Sequence, residues 1–134
     1  MGAAAEERPG VTPAAPSDEV FGNGAVVIVS LASPREKFFG VVRSVAAAGV
    51  SVTGLDLNSI DDFVRALRAG EPAIPATVFF PMHRVERIDL DKGAAGLPSV
   101  RQRLESATER DLQSLFGVSV RGADAAPRRA GTRA

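Results

Sequence analysis

Thr77–Val78–Phe79–Phe80–Pro81–Met82–His83–Arg84–Val85–Glu86–Arg87–Ile88–Asp89–Leu90 decides the fold. An apolar run climbs to a Pro-Met-His-Arg break, and apolar residues then alternate with charged ones. A run, a sharp interruption and an alternating run predict two short strands joined by a tight corner at Pro81–His83. A bent strand pair of that kind helps a small sheet close on itself.

Working back from the corner, Ala25–Val26–Val27–Ile28–Val29–Ser30–Leu31 is a β-branched run and predicts the first strand. Pro34 ends it in a turn. Lys37 to Val45 predicts a second strand, and Gly40 in its interior marks a bend that tolerates no branched side chain. Val50 to Leu57 predicts a third strand with a slip near Gly54, read as a bulge. A helical insert over 59–70 follows, with Asn58 or Ser59 as its cap and Asp61 and Asp62 in its first turn. Downstream of the corner, Ser99 and Gln102 match a capping box that opens a C-terminal helix over 98–116. Thr108–Glu109–Arg110–Asp111 is the alternative start of a second short helix.

The expected architecture is therefore mainly β: a five-stranded antiparallel barrel of the SH3 or Sm-like type over 25–92, with a helical insert before the fourth strand and a C-terminal helix. Five short strands leave edges unpaired at the seam, which either pair with another copy or are covered, and the C-terminal helix is the candidate cover. Residues 1–24 and 117–134, rich in Ala, Pro, Gly and Arg, are expected to be disordered tails. Glu6, Glu7, Asp18 and Glu19 outweigh Arg8 at one end. Arg121, Arg128, Arg129 and Arg133 outweigh Asp124 at the other.

Composition limits function. The 134 residues carry 16 basic and 16 acidic side chains, so the strongly basic footprint of a protein that grips many phosphates is absent. Aromatic residues are only 5%, all Phe, which leaves neither Trp nor Tyr for stacking on bases. With no Cys, thiolate chemistry is excluded. No Gly-rich phosphate loop, metal-ligand cluster or catalytic constellation is visible, so the expectation is a non-enzymatic protein without cofactor or metal. The N-terminus lacks the basic start and apolar stretch of a signal peptide, and no run approaches the ~18 apolar residues of a membrane span. A soluble, cytoplasmic chain with no membrane partner is expected.

Phe38–Phe39–Gly40–Val41–Val42–Arg43–Ser44–Val45 and Phe80–Pro81–Met82–His83–Arg84–Val85–Glu86–Arg87–Ile88 resemble the two motifs of the Sm-like family, most closely its bacterial Hfq type. The resemblance covers roughly 26–90 without the insert. His83 takes the His position of the second motif, Pro81 and Met82 replace a Tyr and a Lys, and Ala46 stands where an acid is usual. The resemblance implies an oligomer assembled through the fourth and fifth strands.

Each candidate site has two readings. His83, Arg84 and Lys37, if they converge, make a small cationic rim for RNA phosphate; otherwise His83 fixes the corner and the arginines lie on a solvated strand face. Asp89 and Asp91 share one side of an extended strand and hold either a divalent cation or only water. Phe38–Phe39 and Phe79–Phe80 each send one ring to either face of the sheet, for packing or for base stacking. Gly40 and Pro81 are the fold-critical positions. The function expected is an Sm-like oligomeric module that binds RNA or scaffolds a complex; the alternative is a protein-binding barrel with no nucleic-acid role.

Overall fold

The computed structural model describes residues 19–122. Five strands make one antiparallel sheet: β1 (Val26–Leu31), β2 (Glu36–Ala46), β3 (Gly49–Asp56), β4 (Ala76–Pro81) and β5 (Val85–Leu90). Their spatial order is β4-β3-β2-β1-β5. β4 and β5 are thus the two edges, yet a single 3₁₀ turn, Met82–Arg84, joins them. Edge strands of a flat five-stranded sheet would lie about 19 Å apart. A three-residue 3₁₀ turn spans well under that, about 8 Å. The sheet must therefore curl so that its edges approach at this corner. Met82 N–H donates to Ala48 O (2.8 Å) and Ala32 N–H to Arg84 O (2.9 Å), which ties the turn to both flanks. The ladder itself is open: β4 and β5 are not hydrogen-bonded neighbours.

Two glycines permit the curl. Gly40 lies opposite Gly54 in the β2–β3 ladder. A Cβ on Gly40 would come within 2.5 Å of the Thr53 carbonyl oxygen, and one on Gly54 within 2.5 Å of Gly40 Cα. The bulge expected near Gly54 is not there: β3 keeps continuous register from Leu55 to Val52. The irregularity is in β2, where Arg43 is the extra residue between Val42 and Ser44. A second break leaves Glu86 unpaired between Val85 and Arg87.

Strict alternation along β2 gives the molecule two cores. Phe38 and Val42 face the concave side with Val27, Val29, Leu31, Val50 and Val52, and the edge residues Val78, Phe80, Ile88 and Leu90 pack against them. Phe39 and Val41 face the convex side with Leu55. There α1 (Ile60–Arg68) contributes Ile60 and Phe63, α2 (Val100–Thr108) Val100 and Leu104, and α3 (Leu112–Phe116) Leu112, Leu115 and Phe116. Phe116 sits edge-on to both Phe39 and Phe63. Among the described residues the helices thus cover the middle of the sheet, over Phe39, Val41 and Leu55, rather than the edge strands β4 and β5.

Other boundaries shift for local reasons. Ser59 holds the N-cap position of α1, as one of the two expected candidates, but makes no side-chain capping bond; Asp56 supplies one a turn earlier, its carboxylate accepting from Asn58 N–H at the head of the 3₁₀ turn Leu57–Ser59. The C-terminal helix is two helices. Glu109 takes a left-handed conformation after α2, and Asp111 caps α3 by accepting from Ser114 N–H. The Ser99–Gln102 capping box forms as expected. The folded chain also runs further than 25–116. Val120 is 7% exposed, Arg121 N–H donates to Gly24 O, and the Arg121 side chain donates to Val20 O and Asn23 O. The rest of the expected tails, 1–18 and 123–134, lie outside the described residues.

Candidate functional site: the corner and the two sheet edges

The corner brings Arg84 to the β1–β2 turn. Its Nη1 donates to the carbonyls of Ala32 and Pro34, and Nη2 meets Glu36 Oε1 at 3.3 Å. Half-buried and holding three acceptors, Arg84 acts as a clamp between β5 and the turn. His83 is exposed on the 3₁₀ turn. Pro81 closes β4 opposite Gly49, where an edge strand tolerates the lost N–H.

Lys37 belongs to a different surface. Successive strand residues face opposite ways, so Lys37 projects to the convex side while Glu36 goes with Arg84. The β1 pairings put Lys37, Ser30 and Arg87 in one row across β2, β1 and β5. The row borders a shallow cleft of about 260 Å³ that Asp89 also lines. The structure therefore brings Lys37 to Arg87 and Asp89 and leaves Arg84 and His83 at the corner.

Arg87 and Asp89 form a bidentate pair, Nε–Oδ2 at 2.9 Å and Nη2–Oδ1 at 3.0 Å. Arg87 holds the Asp89 carboxyl below its ordinary range, mainly through this hydrogen bond, with a smaller contribution from Lys37; the Arg87 guanidinium is raised in turn. Sequence reasoning missed this pair. Its signal was present: opposite charges two residues apart on a strand share a face.

The carboxylates weighed as cation ligands have other partners. Asp91 has left the strand and caps α2, accepting from Val100 N–H (2.9 Å) and Arg101 N–H (2.8 Å). Among the described residues no group of three or more His, Asp or Glu is placed to hold a metal ion. Both Phe pairs split between faces: Phe38 and Phe80 meet edge-on in the concave core (5.3 Å between centroids), and Phe39 is under the helices. Phe79 is the exception, 53% exposed on the convex side of edge strand β4.

These features define a curled, antiparallel five-stranded sheet with a helical cover on its convex face and two edges that no described strand pairs. No protein-family model, curated protein or solved structure matches the chain. Among the described residues no helix is long and apolar enough to cross a membrane.

Proposed function

We propose that this chain is a non-enzymatic, Sm-like module, its curled sheet an SH3-type barrel left open at the β4–β5 seam, which assembles with copies of itself through those edge strands to scaffold a complex. One observation carries the reading: β4 and β5 are unpaired edges of one sheet, joined by three residues. Two open edges on one chain invite head-to-tail addition, which closes into a ring when the rotation allows.

RNA contact, on this reading, is confined to His83 at the corner and to the Lys37–Arg87 row. Arg84 is committed to Ala32, Pro34 and Glu36, and Arg87 to Asp89. That self-pairing favours the scaffolding role over nucleic-acid binding and also supports the second reading, a protein-binding barrel with no RNA. Gel filtration with light scattering, followed by labelled oligo-U and oligo-A binding across a salt series, tests both. An oligomer with weak RNA binding that disappears as salt rises is expected. A monomer at micromolar concentration overturns the assembly. Tight, salt-resistant RNA binding overturns the preference for scaffolding.

A further inference from the structure

Three polar residues are buried among the described residues: Ser30, Thr53 and Ser99. Thr53 bonds Arg43 and Thr77, and Ser99 closes the capping box of α2. Ser30 is 7% exposed, and among the described residues its hydroxyl has no hydrogen-bond partner. A buried hydroxyl without a partner calls for a bound water, ion or ligand. The residues around it favour an anion. Ser30 stands opposite Lys37 on one side and Arg87 on the other. Neighbouring strands lie about 4.8 Å apart, so two long cationic stems rise about 10 Å apart with a short side chain between them. That gap is the floor of the cleft of about 260 Å³, which Arg35, Glu36, Glu86 and Asp89 also line. Two of these acids have partners. Glu36 meets Arg84, and Asp89 takes Nε and Nη2 of Arg87. That pair leaves Arg87 Nη1 over. Lys37 and Arg35 form no ion pair among the described residues. The donors still to be used therefore outnumber the one remaining carboxylate, that of Glu86.

We propose that this cleft binds one small oxyanion of the phosphate class. The anion sits above Ser30 and accepts from its hydroxyl, from the Lys37 ammonium on β2 and from Arg87 Nη1 on β5. Three donors arriving from three strands suit a tetrahedral anion, which turns three oxygens toward them; a planar carboxylate offers two. The site rests on the Lys37–Arg87 row of the reading above and narrows what that row contacts, and it holds whether or not copies assemble. The acids select among phosphates. Glu86 and Asp89 flank the site on β5, and Glu36 on β2. A second phosphate to either side would meet carboxylates, so a nucleic-acid backbone, charged at every nucleotide, is disfavoured. A free phosphate or a terminal phosphomonoester places all its charge on one group and avoids them.

The test is an NMR titration of the ¹⁵N-labelled chain with sodium phosphate, chloride being withdrawn to hold ionic strength constant. Parallel arms use ribose 5-phosphate, acetate, and oligo-U without terminal phosphates. Saturable shifts of the Ser30, Lys37 and Arg87 amide signals are expected with phosphate and with ribose 5-phosphate. Ser30→Ala and Lys37→Gln, with folding verified by circular dichroism, are each expected to weaken phosphate binding about tenfold, as loss of one charge-assisted hydrogen bond would. Shifts that grow without saturating, the mark of an adventitious ion only, overturn the site. Parent-like binding by either variant overturns the donors assigned here. Acetate binding as tightly as phosphate overturns the tetrahedral class. Oligo-U that binds at these signals more tightly than phosphate overturns the choice of ligand and leaves the RNA contact standing. Saturable phosphate binding with no oligo-U response at these signals supports the site and removes the row from the RNA reading.

Discussion

Gly40 and Gly54 set the curvature on which everything else depends. A Cβ at either position meets backbone atoms of the facing strand, and at Gly40 the Val52 side chain as well. Gly40→Val and Gly54→Ala are each expected to cost about 3 kcal/mol, the upper end for overpacking, because the backbone has to part. Urea unfolding monitored by circular dichroism measures this, and a midpoint shift within error of the parent would remove the close approach from the account. Asp89 supplies a pH-dependent prediction at the same scale. Its folded-state pKa lies below the unfolded value, so its contribution to stability is present above the ordinary carboxylate pKa. That contribution is lost as pH falls through the depressed folded value. Arg87→Ala should move the Asp89 titration back up toward the ordinary range, as followed by NMR of its side-chain carbon. An unmoved midpoint would show that Arg87 is not the cause. Gly40 was legible because a glycine inside a β-branched run marks a bend or a close backbone approach. The Gly54 partnership was not, because it depends on which residues face each other across the ladder.

Among the elements, α2 is the one whose start is most heavily specified. Ser99 and Gln102 form the capping box that the sequence spacing predicts, while Asp91, nine residues before the first helical turn, satisfies two further N–H groups. The first feature is local and readable; the second needs the chain to return from β5, so Asp91 looked like a surface acid paired with Asp89. Asp91→Ala is expected to destabilise the fold by about 1–2 kcal/mol, a typical cap loss. A thermal midpoint equal to the parent's would contradict that role. The β4–β5 corner was legible from its break in periodicity. The destination of Arg84 was not, because its acceptors, Ala32 and Pro34, lie some fifty residues upstream.

For the molecule as a whole, the segment 117–122 carries more weight than its composition suggests. An Ala/Arg/Gly-rich stretch after Phe116 reads as a tail, yet Val118 packs on the convex core, Val120 is buried within it, and Arg121 bridges to the chain before β1. Deleting 123–134 should leave the melting temperature near the parent's, whereas deleting from 118 onward should lower it by several degrees, consistent with the loss of roughly 2 kcal/mol from Val120 and its neighbours. Equal melting temperatures for the two truncations would detach this segment from the core. The open edges belong to the same scale: Val78, Phe80, Ile88 and Leu90 remain half-buried at the rim of the concave core, so a single copy leaves apolar surface in water that a neighbour would remove. The most direct test of that claim is the mass of the chain in solution at micromolar concentration, measured by light scattering after gel filtration. A discrete multiple of the 13.9 kDa chain is predicted; a single-chain mass across the concentration range would contradict it.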